Sequence, residues 1–99
     1  MYKQIRNNIY LIEIPLPNNP LKYLNSYLIK GDHSKGERNL LIDTGFNKTV
    51  CYEDMLSALT ALNVRMEDTD IYLTHAHSDH IGLGPRIATP STKGFLNRI

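Results

Sequence analysis

The chain has 99 residues, of which 41% are hydrophobic and 21% charged, with a formal net charge of +1 at pH 7. These values fit one small globular domain, and the near-neutral charge excludes a general electrostatic attraction to nucleic acid or to an anionic membrane. The single cysteine, Cys51, excludes an intramolecular disulfide, and no apolar stretch has the length of a signal-peptide core or a transmembrane helix, so we expect a soluble cytoplasmic domain.

The first part of the chain has the pattern of β-structure. Strands are predicted at Tyr2–Ile5, Ile9–Ile14 and Tyr23–Ile29, where apolar, β-branched and aromatic residues are frequent. The proline-rich segment 15–20 predicts a loop, because proline fixes φ and lacks the backbone donor that a ladder needs. A further short strand is predicted at Asn39–Asp43.

The spacing of apolar residues then changes from every second residue to every third or fourth. Segment Lys48–Leu62 is predicted to be an amphipathic helix with Asn47 as its N-cap, and its apolar stripe consists of Tyr52, Met55, Leu56, Leu59 and Leu62. A strand at Ile71–Thr74 follows, and the next strand is predicted to begin within Lys93–Ile99. Strand, helix and strand in this order indicate a βαβ unit with parallel strands.

Candidate chemistry lies where these parallel strands end, which is where open α/β sheets form their sites. Asp43 ends the strand before the predicted helix. The strand after that helix is followed by His75, His77, Asp79 and His80. Imidazole and carboxylate groups are ligands for zinc, iron and manganese, and two histidines two residues apart on an extended segment project to the same side. A polar loop that contains histidines by chance is the alternative. His33 lies in a polar turn and is interpreted as a surface residue.

Three segments carry a family resemblance: Asn25-Ser26-Tyr27-Leu28-Ile29, Leu41-Ile42-Asp43-Thr44-Gly45 and Thr74-His75-Ala76-His77-Ser78-Asp79-His80-Ile81-Gly82. They resemble, in order, three motifs of the metallo-β-lactamase superfamily. The resemblance implies that His75 and His77 hold one metal ion, that Asp79 and His80 hold a second, and that Asp43 buttresses the metal-bearing loop without binding metal.

The same resemblance implies an α/β (α+β) fold in which residues 1–99 form one partial domain. This domain would be the N-terminal half of an αββα sandwich, a mixed β-sheet with one main helix. Family members are about twice as long, and their remaining metal ligands come from the second half. No histidine, aspartate or glutamate follows His80 in this chain. We therefore expect an N-terminal fragment that binds metal weakly, is inactive alone, and self-associates or pairs with its missing C-terminal half.

The implied function of the intact parent is that of a metal-dependent hydrolase. Hydroxide would attack an ester, thioester, lactam or phosphodiester of a small-molecule substrate, with one or two ions, zinc before iron or manganese, and with Asp79 accepting or orienting a proton of the attacking water. No nucleic-acid or membrane partner is indicated.

Two alternatives remain open from the sequence. The chain would instead be a non-catalytic metal-binding or interaction module if its catalytic half were lost or supplied by another polypeptide. The segment Leu41–Gly45 also resembles the Asp-Thr-Gly loop of retroviral-type aspartic proteases, in which two chains pair and two aspartates share a proton. The helix predicted after this loop and the unexplained histidine cluster oppose the protease alternative.

Overall fold

A six-stranded mixed sheet organises the computed structural model, which describes residues 2–15, 22–45, 48–74 and 84–96. The strands lie side by side in chain order: β1 (Tyr2–Arg6), β2 (Ile9–Pro15), β3 (Tyr23–Ile29), β4 (Asn39–Ile42), β5 (Thr69–Leu73) and β6 (Gly94–Leu96). The pairs β1–β2, β2–β3 and β3–β4 are antiparallel, whereas the pairs β4–β5 and β5–β6 are parallel. Helix α1 (Thr49–Ala61) connects β4 to β5, and the short helix α2 (Gly84–Ile87) precedes β6. The predicted βαβ unit and mixed sheet are confirmed.

Predicted boundaries in β1, β2, β4, β5 and α1 differ from the structure by one or two residues. The sequence pattern places Pro15 in the loop, but it is the last residue of β2 and lies opposite Tyr23, because a strand end tolerates the missing donor. The N-cap of α1 is Lys48, whose side chain makes no capping hydrogen bond, and Asn47 lies outside the described residues.

The buried face of α1 is rotated from the predicted one. Leu56 is exposed and Tyr52 half-buried, so the prediction is wrong for Leu56. Cys51 and Ala58, which the prediction left out, are buried, and the resulting stripe has helical spacing throughout: Cys51, Met55, Ala58, Leu59 and Leu62. This stripe packs on the alternate residues of the sheet that point toward α1, namely Ile12, Ile14, Leu28, Leu41 and Ile71.

The other face of the sheet has no cover among the described residues. Cα-paired positions form one row across it, from Leu11 through Tyr27, Ile42 and Tyr72 to Phe95. Phe95 is 50% exposed and the others are half-buried. We call these five residues the open-face row.

Within the described segments, no helix combines the length and the apolar character needed to cross a lipid bilayer.

Candidate metal centre at the ends of β4 and β5

The side chain of Asp43 joins the ends of the two parallel strands. Its Oδ1 accepts a hydrogen bond from the backbone N–H of Thr74 at 2.9 Å, and its Oδ2 accepts one from the Thr74 hydroxyl at 2.6 Å. Asp43 is 5% exposed. Strand β5 ends at Leu73 because the next N–H bonds to this carboxylate. The residue that directly precedes the predicted metal-binding motif is therefore fixed to the neighbouring strand.

The backbone of Asp43 is held in an unusual conformation that sends the carboxylate toward β5. Its φ is 63°, a left-handed value that non-glycine residues adopt rarely and that is costly unless the surroundings enforce it. The enforcing contacts are visible on both backbone groups. The Asp43 N–H donates to the Tyr72 carbonyl at 2.9 Å, and the Ser26 hydroxyl donates to the Asp43 carbonyl at 2.7 Å and to that of Ile42 at 3.1 Å.

Ser26 and Thr74 are positioning residues to which the sequence pattern assigned no role. A signal for Ser26 was present, because it lies between Leu24 and Leu28 on the face of β3 that points into the core, and it is fully buried. A buried polar side chain needs a hydrogen-bond partner, and here the partners are the carbonyls at the end of β4. Thr74 was marked only as the first residue of the histidine motif, and its contact with Asp43, 31 positions away along the chain, leaves no local pattern.

The predicted metal ligands His75, His77, Asp79 and His80 lie outside the described residues. Their assignment as ligands, and that of Asp79 as the residue that handles a proton of water, remain predictions. Across residues 2–15, 22–45, 48–74 and 84–96, no group of three or more His, Cys, Asp and Glu side chains is placed to hold a metal ion. The structure adds the attachment of Thr74, the residue before the motif, to the Asp43 carboxylate.

Helix α2 follows the motif in the chain, and α1 contacts α2. The guanidinium carbon of Arg86 lies 4.0 Å from the centre of the Tyr52 ring, and the neighbouring Ile87 is buried in the core. The Ala88 N–H donates to the Gly84 carbonyl at 2.9 Å and closes the single turn of the helix. The chain is thus attached to the domain both before residue 75 and after residue 83.

An ion pair joins the amino ends of β4 and β5. Arg38 donates from Nη2 to Asp70 Oδ1 at 3.0 Å and from Nε to both carboxylate oxygens at 3.2 Å. It also donates to the carbonyls of Glu67 and Ser91. The Arg38 hydrogen bonds hold the pKa of Asp70 below its ordinary value, despite partial burial, and the Lys93 N–H acts in the same direction. This pair secures the loop before β6. It lies at the amino ends of β4 and β5, whereas Asp43 and Thr74 follow their carboxyl ends.

Comparison with known proteins identifies relatives of this arrangement. A family model described as the metallo-beta-lactamase superfamily matches residues 20–91. A metallo-beta-lactamase family protein from Thermus thermophilus is 32% identical with a TM-score of 0.69, over 81% of this chain and 25% of that one. The metallo-beta-lactamase GOB-18 from Elizabethkingia meningoseptica is 24% identical with a TM-score of 0.68, over 94% and 30% of the two chains.

A beta-lactamase domain protein from Burkholderia ambifaria supports the fold alone, at 18% identity and a TM-score of 0.71 over 85% of this chain and 26% of that one. No curated protein matches the sequence. The chain spans about a quarter to a third of the length of the solved structures that it resembles. The aspartic-protease alternative is not supported, because a parallel βαβ unit surrounds Asp43 and the family match covers it.

Proposed function

The chain belongs to the metallo-beta-lactamase superfamily, and from this premise we propose that it supplies the first part of a hydrolytic metal centre, with His75, His77, Asp79 and His80 as ligands. The observation that carries the proposal is the pair of hydrogen bonds from Thr74 to the Asp43 carboxylate. Carboxylates that hold a metal-bearing segment in place without binding the ion are a regular part of metal sites and tune their affinity.

The donor set fits a zinc ion and also iron or manganese, because neutral imidazole and carboxylate are the ligands that these ions take. When bound, such an ion lowers the pKa of a water molecule to about 7 and polarises the oxygen of a carbonyl or phosphoryl group. The role that we propose for Asp79 is to accept or orient a proton of the attacking water. Asp43 fixes Thr74, the residue directly before the segment, so that the chain leading to His75 and His77 starts from one defined backbone position.

The motif offers at most two protein ligands to each of two ions. A catalytic zinc site usually has three protein ligands and one open position. We therefore propose that this chain binds metal weakly and has little activity by itself, and that the complete site needs ligands from elsewhere. The substrates proposed for the complete enzyme are small molecules with an ester, thioester, lactam or phosphodiester bond.

The open-face row indicates a partner that packs on this face of the sheet. Exposed apolar surface of this sort marks an interface, and Phe95 at its end is half exposed. We propose that this face packs against a further layer, supplied by the C-terminal half of the enzyme or by a second copy of this chain. Self-association of the 99-residue chain is the consequence that a measurement can reach directly.

Metal binding tests the proposal. Elemental analysis of the purified chain and a cobalt titration followed by visible absorption would compare the wild type with His77→Ala and His33→Ala. His33 is a matched control, because it is an exposed histidine with its Nδ1 2.9 Å from the Glu37 carbonyl oxygen, in a turn before β4. We expect weak binding that His77→Ala abolishes and His33→Ala preserves. Equal binding in all three proteins, or none in the wild type at millimolar cobalt, would overturn the proposed centre.

The non-catalytic alternative is tested with the same preparation. The metal-loaded chain would be assayed with a chromogenic ester, a thioester, a chromogenic β-lactam and a nitrophenyl phosphodiester. Turnover that disappears in His77→Ala would favour a hydrolase. Bound metal without turnover in any assay would agree both with the incomplete site proposed for the chain alone and with the non-catalytic alternative.

A further inference from the structure

We propose that Tyr52 and Arg86 act as a positioning pair that fixes the exit of the metal-binding segment, as Asp43 and Thr74 fix its entry. The proposal rests on the function proposed above. The pair is placed for this role, because Arg86 lies six positions after His80, the last of the proposed ligands. Its guanidinium stacks on a ring of α1 at 4.0 Å.

The length of α2 makes an external support necessary. The helix has four residues and one closing hydrogen bond, from the Ala88 N–H to the Gly84 carbonyl. A helix this short has no stability of its own, since nucleation costs more than a single hydrogen bond returns. Tertiary contacts must therefore hold it in place.

The packing of α2 on the rest of the domain leaves a cavity beside the helix. The buried side chain of Ile87 anchors one side of the helix. Pro85 and Ala88, however, line a cavity of about 290 Å³ whose other walls include Ile71 and Leu73 of β5. Within the described residues, Ile87 is the one buried side chain of α2, and the cavity lies between the helix and β5. The Arg86–Tyr52 stack adds an attachment of α2 to α1.

Tyr52 is itself part of a rigid frame. Its ring packs against the core cluster, and its N–H donates to the Lys48 carbonyl at 2.9 Å in the first turn of α1. The adjacent Cys51 is buried and its thiol lies 3.1 Å from the Pro15 carbonyl oxygen, which ties this turn to the end of β2. The aromatic platform for Arg86 is thus fixed to the sheet. The motif would be held between two anchored positions of the same domain.

Amide hydrogen exchange measures the restraint without any metal. The Ala88 N–H reports the turn of α2, and the Asp43 N–H, bonded to the Tyr72 carbonyl, is an internal reference at the entry side. An exposed cation–π contact changes an opening equilibrium by roughly two- to fivefold. We expect Arg86→Gln and Tyr52→Leu each to accelerate exchange at Ala88 by that factor, and the double variant to add little more. Tyr52→Phe, which keeps the ring, should resemble the wild type.

Cobalt affinity then connects the restraint to the metal. The dissociation constant should rise roughly two- to fivefold in Arg86→Gln and Tyr52→Leu. Arg86→Lys should restore part of the loss, because it retains a cation that can stack on the ring. The matched control is Arg65→Gln, which removes the surface ion pair with Glu67 and should leave both measurements unchanged.

The outcomes separate the two proposals. Unchanged exchange at Ala88 or unchanged cobalt affinity in Arg86→Gln and Tyr52→Leu would overturn the positioning role, while wild-type binding that His77→Ala abolishes would keep the metal centre. A wild-type chain that binds no cobalt would overturn the metal centre, and the positioning role with it.

Discussion

Asp43 and Thr74 are 31 positions apart in the chain and are joined by two hydrogen bonds, from the backbone N–H and the hydroxyl of one residue to the two carboxylate oxygens of the other. The contact is possible because β4 and β5 are parallel neighbours whose carboxyl ends meet at one edge of the sheet. It holds Thr74, the residue directly before the proposed metal ligands, against a buried carboxylate.

Asp43→Ala is expected to destabilise the domain by about 1–3 kcal/mol, because it removes the acceptor of two hydrogen bonds in a largely buried place. Asp43→Asn should lose less, since its amide oxygen can still accept from the Thr74 N–H. Urea unfolding followed by circular dichroism measures the change. Glu53→Gln on the exposed side of α1 is the control and should lie within about 0.5 kcal/mol of the wild type. An Asp43→Ala variant as stable as that control would contradict the role of this contact.

Acid should weaken the domain partly through Asp70. Its pKa in the folded chain is lowered, mainly by the Arg38 hydrogen bonds. A lowered pKa means that the contribution to stability is complete above the ordinary value of about 3.9 and is lost as the pH falls through the folded value below it. In urea unfolding between neutral and strongly acidic pH, Asp70→Asn should be less stable than the wild type at neutral pH. The difference should disappear at the acid end, and a constant difference across the range would show that ionisation is not its cause.

Gly31→Ala is expected to destabilise the domain by about 1–3 kcal/mol through a backbone clash. A Cβ atom at this position would clash with the Arg38 carbonyl oxygen, a backbone atom that cannot move aside cheaply. Gly94→Ala is the matched control, because its Cβ would meet no atom of the described residues within 4 Å, its two chain neighbours aside. Equal unfolding midpoints for the two variants would refute the close approach at Gly31.

Phe95→Lys should reduce self-association, because it places a charge at the exposed end of the open-face row. Val50→Lys is the control, since Val50 is 46% exposed on α1, away from that face. Sedimentation velocity over a range of concentrations measures the effect. A wild-type chain that remains monomeric at high concentration, or equal association in both variants, would remove the support for a second copy as the occupant of this face.

Much of the fold could be read from local patterns. The alternation in β2 and β3 and the three-to-four spacing in α1 are properties of neighbouring residues, so the elements were predicted with boundary errors of a residue or two. The buried face of α1 was predicted less well. The exposed Leu56 and the buried Cys51 are equally compatible with a helical period, and only the position of the sheet decides between them.

The sequence by itself determined the order of the elements, the parallel βαβ unit and the candidate ligand set, because hydrophobic periodicity and donor chemistry are written in short stretches of chain. Only the tertiary structure decided that Asp43 takes a left-handed backbone, that Ser26 and Tyr72 hold it there, and that its carboxylate receives Thr74. It also decided that Arg86 meets Tyr52 and that one sheet face is left open among the described residues. These contacts join residues far apart in the chain, and their geometry exists only after the strands have paired in one register.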